Sequence, residues 1–102
     1  MWSKTEKEIA RQAFGRAYER ECKELSNKVK EMANTAKTPE DIWELHEFLT
    51  EKRKEIDEKY DYRYSVLILV FGRLLREGWI GLDDLEGLDE DKISKIKNIA
   101  GL

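Results

Sequence analysis

The chain has 102 residues, 40% of them charged and 40% hydrophobic, with a formal net charge of −3 at pH 7. This balance opposes nucleic-acid binding by bulk charge, because phosphate neutralisation needs a cationic excess. One cysteine excludes an internal disulfide, a CxxC redox pair and a cysteine zinc cluster, and one histidine excludes a multi-histidine metal site. No apolar run approaches the ~18 residues of a membrane span, and the first eight residues lack a signal-peptide apolar core. A soluble, cytoplasmic protein without nucleic-acid or membrane partners is expected. Charge is uneven: residues 1–37 carry +3 and residues 38–102 carry −6. Glu77 to Asp91 holds seven acids and no base. Leu82, Leu85 and Leu88 interrupt it, so it reads as a solvated, helix-capping turn region rather than an acidic docking tail.

The pattern along the chain predicts helices and no strands. Ser3 with Glu6, and Thr5 with Glu8, both fit a capping box at the start of the first helix. Apolar residues then recur at Phe14, Tyr18, Cys22, Leu25, Val29, Met32 and Ala36, the later ones at heptad spacing. Roughly thirty residues of helix span about 45 Å, which is a rod. Thr38-Pro39-Glu40-Asp41 opens a second helix: Thr38 caps, Pro39 suits the first position, and the acids favour the positive end of the helix dipole. This helix carries Ile42, Leu45, Leu49, Ile56 and Tyr60 on one face. The short Lys37-Thr38 connection folds it back antiparallel on the first.

Tyr60-Asp61-Tyr62-Arg63-Tyr64 fits either a kink or a continuous turn. Val66 to Phe71 passes locally for a buried strand, but Tyr62 to Glu77 has only Gly72 as a weak breaker, and length favours a helix. Gly78 reads as its C-terminal cap. Leu82 to Leu88 suggests a short helix. Asp89 caps a last helix carrying Ile93, Ile96, Ile99 and Ala100 and ending at Gly101.

The expected architecture is all-α and a single domain over residues 1–102: an extended two-helix stalk (1–60) and a small C-terminal helical head (61–102). A lone hairpin of long rods buries one side of each and leaves much surface wet. Heptad seams mark helix association, and two-fold dimers are the commonest closed assembly. A homodimer through Ile42, Leu45, Leu49 and Ile56 is therefore expected.

Trp43 is the most informative position. At 100° per residue it projects about 140° from the centre of that apolar stripe. His46, Glu47, Thr50 and Lys54 fall within about 60° of it, and Arg53 lies between the two faces. Trp and Arg are enriched at interface hot spots, and His46, Arg53 and Glu47 supply directional donors and an acceptor. Two readings stand: a surface for another protein, or packing inside the homodimer with polar neighbours forming weak surface pairs.

Enzyme readings find little support. Trp43-Glu44-Leu45-His46 is not the Glu-x-x-His of di-iron bundles, because Trp stands where Glu is needed. HExxH, P-loop and GxSxG motifs are absent. Cys22 sits on the heptad seam as core filler. Tyr60, Tyr62 and Tyr64 point in different directions on a helix, which disfavours base stacking. No cofactor or metal is expected.

Several residue runs resemble the fluorescence recovery protein family of cyanobacteria. These are Asp41-Ile42-Trp43-Glu44-Leu45-His46-Glu47-Phe48-Leu49, Lys52-Arg53, Glu55-Ile56-Asp57, Lys59-Tyr60-Asp61, Arg63 and Ser65-Val66. Phe14, Ala17-Tyr18 and Arg20-Glu21 upstream continue the likeness. So do Leu74-Leu75, Glu77-Gly78 and Ser94-Lys95-Ile96-Lys97 downstream. The resemblance implies a cofactor-free helical homodimer with a stalk and a head. Such proteins bind the photoactivated orange carotenoid protein, which quenches the phycobilisome antenna, and favour its return to the compact orange form. The family's functional patch is a Trp, a His, an Asp and an Arg on the second helix, with further contacts from the head. Trp43, His46 and Arg53 match three of these. Glu47 stands where the family has Asp, Leu69 where an aromatic is usual in the head, and Lys95 matches a lysine of the last helix. The resemblance thus implies two functions: regulation of the orange carotenoid protein, or the same dimer serving another protein partner.

Overall fold

The computed structural model describes all residues from Met1 to Leu102. Four α-helices and one 3-10 turn follow in chain order, without strands. They are α1 (Lys4–Thr35), α2 (Pro39–Lys59), α3 (Leu67–Glu77), the turn Leu82–Leu85, and α4 (Glu90–Ala100). The molecule measures 52 × 24 × 22 Å, with a radius of gyration of 16.4 Å. A compact chain of this length has a radius of about 13 Å, so part of the hairpin stands clear of the core.

Each long helix begins as its sequence directs. Ser3, not Thr5, caps α1: Glu6 N donates to Ser3 Oγ at 3.1 Å, and Ser3 N donates to Glu6 Oε1 at 3.0 Å. Thr38 caps α2, with Pro39 in its first turn. Asp41 Oδ2 accepts from the backbone N–H groups of Lys37 and Thr38 at 2.9 and 3.1 Å. These carboxylates satisfy donors that have no partner within the helix.

The hydrophobic core lies in the head, and α1 is one of its walls. Leu67, Phe71, Leu74, Leu85 and Ile96 are fully buried, together with Ala10, Ala13 and Ala17 of α1. The inward row of the first half of α1 is thus Glu6, Ala10, Ala13, Ala17 and Glu21. It is turned roughly 100° around the helix from the Phe14–Tyr18–Cys22 row that the sequence suggested. Phe14 is half-buried and Tyr18 is exposed. Alanines leave room for the head to close on the helix, and the larger side chains flank that contact.

The sequence suggested a helix from Tyr62, but α3 starts at Leu67. Helix α2 ends at Lys59, and its cap Tyr60, with φ of −90° and ψ of 73°, leaves the helical region. In the non-helical stretch that follows, the tyrosines at alternate positions all turn towards the first half of α1. Phe14 meets Tyr60 and Tyr62 edge-on at 5.4 and 4.8 Å, and Trp2 meets Tyr64 at 5.9 Å. Edge-to-face pairs of this kind are favourable beyond the area they bury. Aromatic packing against α1 therefore replaces one more turn of helix. Within α3, Gly72 admits α4: a Cβ there would lie 2.3 Å from Ile99 Cγ2. Gly78, at φ +84°, ends α3 in the left-handed conformation that glycine favours.

In the acidic stretch after Glu77, Asp83, Glu86, Asp89, Glu90 and Asp91 are exposed as expected, and Asp84 is the exception. Asp84 is buried and accepts from Arg20 Nη1 at 2.9 Å and from Gly81 N at 2.9 Å. Arg20 Nη1 also donates to Trp79 O at 2.9 Å, so the turn is clamped to α1. The Arg20 hydrogen bond holds the Asp84 carboxyl below the usual aspartate range. At the other end of the head, Glu6 serves two helices. Besides capping α1, it accepts from Asp89 N at 2.9 Å, at the start of α4, and from Lys92 Nζ at 3.2 Å. The Ser3 and Asp89 amides, followed by Lys92, hold the Glu6 carboxyl at a pKa of about 2.

A carboxyl whose pKa falls on folding adds stability above its unfolded value and loses it as pH drops through the folded one. Glu6 therefore contributes fully above pH ~4.5 and loses its contribution between there and about pH 2. Replacing Glu6 by Gln should lower the thermal midpoint at pH 7 and flatten its decline between pH 5 and pH 2, as followed by circular dichroism.

Candidate functional site

The residues singled out on α2 divide by exposure. Trp43 is 64% exposed, and Ile42 and Leu49 are 51% and 37% exposed. Leu45 and Phe48 are half-buried, and Ile56 is buried within its own chain. The apolar stripe thus divides along its length. Near the joint Ile56 packs inside the subunit, while towards the hairpin tip the side chains of Ile42 and Leu49 reach water. Between the helices, a groove of about 480 Å³ is lined by Tyr18, Cys22, Leu25, Leu49, Arg53, Ile56 and Asp57.

Trp43, His46 and Glu47 form a contiguous exposed patch. The indole and imidazole rings meet edge-on, with centroids 6.3 Å apart. Thr50 Oγ donates to the carbonyl of His46 at 2.9 Å, which ties the following turn to this one. Arg53 lies ten residues beyond Trp43, about 15 Å along the axis, and faces Asp57, with Arg53 Nε 3.8 Å from Asp57 Oδ2. Both side chains are more than two-thirds exposed, so the pair is weak and open to exchange for another partner. Asp57 belongs to this surface and was not among the expected site residues, although the i,i+4 spacing from Arg53 to Asp57 is a legible signal.

Leu69 and Lys95 are not part of that patch. Leu69 is 59% exposed on α3, and Lys95 is on α4, its Nζ 3.1 Å from Asp91 Oδ2 in an exposed pair. The six partner-binding candidates therefore occupy two bodies, four on the stalk helix α2 and two on the head. No group of three or more His, Cys, Asp and Glu side chains is arranged to hold a metal. No helix is long and apolar enough to cross a membrane.

A family model described as the photoprotection regulator fluorescence recovery protein matches residues 2–100. The chain belongs to the fluorescence recovery protein family. The fluorescence recovery protein of Synechocystis sp. PCC 6803 is 46% identical over 101 residues, covering 99% of this chain and 93% of that protein. The solved structure of the fluorescence recovery protein from Fremyella diplosiphon is 50% identical and superimposes with a TM-score of 0.94. The Synechocystis structure is 45% identical, with a TM-score of 0.95. Both structural matches cover the whole of each chain. The chain therefore shares the fold of these solved fluorescence recovery proteins over its whole length.

Because the indole is mostly in water, Trp43→Ala should leave the fold intact. Its unfolding free energy is expected to change by less than ~0.5 kcal/mol, as is usual for surface substitutions, measured by urea denaturation.

Proposed function

We propose that this chain works as a homodimer that binds the photoactivated orange carotenoid protein and speeds its return to the compact orange form, ending antenna quenching. The carrying observation is a tryptophan 64% exposed on α2, pointing away from the side on which Ile56 is buried. An indole held in water offers a partner a large contact area at little ordering cost, and such residues dominate interface energetics. His46 and Glu47 beside it, and Arg53 beyond, provide polar directionality. Membership of a family described as a photoprotection regulator supports the same reading.

The dimer follows from the exposed part of the apolar stripe. Ile42 and Leu49 face water in the single chain, and a second copy laid along α2 would cover both together with Leu45. Trp43, about 140° from the stripe's centre, then stays free for the partner. The working principle needs no bond chemistry. A binder accelerates a conformational return only by holding the route back to the compact state better than the open state. A two-fold dimer that grips separated domains also raises their effective concentration.

A second reading is the same dimer bound to a different protein. Glu47 and Leu69 favour it. Glu47 carries one methylene more than the Asp implied by the family resemblance, and Leu69 presents an aliphatic surface on the head where an aromatic ring would stack.

One measurement separates these readings, and a second tests the dimer common to both. Orange carotenoid protein is photoconverted, mixed with the chain, and its colour followed in darkness. The first reading expects faster recovery, reduced at least tenfold by Trp43→Ala, as befits a hot-spot residue worth more than 1.4 kcal/mol. An unchanged rate at saturating protein leaves the second reading. Ile42→Glu should halve the mass seen by light scattering while the chain remains helical. A dimer that persists would remove the stripe from the interface.

A further inference from the structure

Lys59 is the last residue of α2, and its side chain is 1% exposed. Its Nζ lies 2.6 Å from Glu21 Oε2 on α1 and 2.8 Å from Glu77 Oε1 at the end of α3. One buried cation is thus shared by both stalk helices and the head. The surrounding polar groups are also paired. Tyr60 Oη donates to Glu21 Oε1 at 2.8 Å, and Glu77 accepts from Arg73 Nε at 2.7 Å and Trp79 Nε1 at 3.1 Å. Desolvation offsets most of the attraction in a buried ion pair, so such a cluster adds little net stability while selecting one geometry.

Two further features lie beside it. A groove of about 280 Å³ runs between α1 and α2, with Leu25 of α1, Phe48 and Ile56 of α2, and Trp79 as the one head residue in its walls. The chain beyond Lys59 is non-helical through Val66. By contrast, α1 continues unbroken from the head core into the stalk, so its direction is set by the head. If one part of the stalk moves, it is α2, tethered at its start by the Thr38 turn and at its end by Lys59 together with buried Ile56 and the Tyr60 ring.

We propose that the Lys59 ion-pair cluster is a releasable pin holding the C-terminal end of the docking helix α2 in one position against α1 and the head. With the pin engaged, the end of α2 is held against both α1 and the head. With the Glu77 arm released, the end of α2 moves relative to the head, and the spacing between Trp43, His46, Glu47 and Arg53 on one body and Leu69 and Lys95 on the other changes. A partner that touches both bodies would sense this spacing. That use rests on the two-part docking surface proposed above, whereas the hinge itself does not.

The test is made without a partner, so its failure is distinct from failure of the functional reading. Glu77→Gln keeps the shape of the side chain and removes the charge on the head side of the pin. Hydrogen exchange of the last two turns of α2 and of residues 60–64 should quicken about tenfold or more, the effect of losing a charged hydrogen bond. Exchange in the α3 and α4 core should be unchanged. Spin labels at Glu58 and Glu86, in a Cys22→Ser background diluted into unlabelled chain, should show a broadened distance distribution. Unchanged exchange, or an equal rise in every helix, would overturn the proposal. If Glu77→Gln does not fold, Glu21→Gln tests the other arm by the same readouts. Loss of folding in both would show a structural cluster rather than a pin, and would overturn the proposal as well.

Discussion

The head closes on α1 through Ala10, Ala13 and Ala17, and much else follows from that contact. A helix buried through alanines lets its neighbours approach closely, and the well-packed interior that results resists small displacements. The first four turns of α1 are thereby committed to the head. The helix is 32 residues long, so its second half must project. Helix α2 then has only that projecting half to fold back upon, and neither rod of the hairpin is covered on all sides. The exposure of Ile42, Trp43 and Leu49 is the consequence of a helix longer than the core it serves.

Polar groups hold the two bodies in register. Glu6 ties the starts of α1 and α4, Arg20 ties α1 to Asp84 and the Trp79 carbonyl, and Lys59 ties the end of α2 to α1 and α3. In the first two cases the partners are backbone groups or an aspartate fixed by backbone, which is suited to permanent attachment. In the third, both partners are long glutamate side chains. The end of α2 is therefore held by charge between flexible side chains, beside buried Ile56 and the Tyr60 ring packed on Phe14.

Trp43, His46 and Glu47 are exposed and contiguous, and Arg53 sits in a solvent-exposed pair with Asp57 that a partner can replace at little cost. On the proposed reading, such a surface recognises and positions. Regulation of another protein's conformation asks no more of it than differential affinity for two states.

The sequence by itself determined the all-helical class, the helix caps and the outward phase of Trp43. These are properties of a few consecutive residues: Ser3 with Glu6, Thr38-Pro39 with Asp41, Gly78, Asp89, and the 100° step that separates Trp43 from Ile42 and Leu49. Family membership was legible for a similar reason, since the matching residues run in one register along nearly the whole chain. Tertiary structure decided which face of α1 turns inward. Large apolar side chains draw attention to the Phe14–Tyr18 row, yet close packing selected the alanines, whose small size has value only when another body comes near. It also decided that Tyr60, Tyr62 and Tyr64 leave the helix to meet Phe14 and Trp2, an energy that local propensity does not contain. It decided too that Glu21, Lys59 and Glu77, far apart in the chain, converge on one buried cluster. Contacts between distant segments depend on how whole helices dock, and no window of neighbouring residues records that.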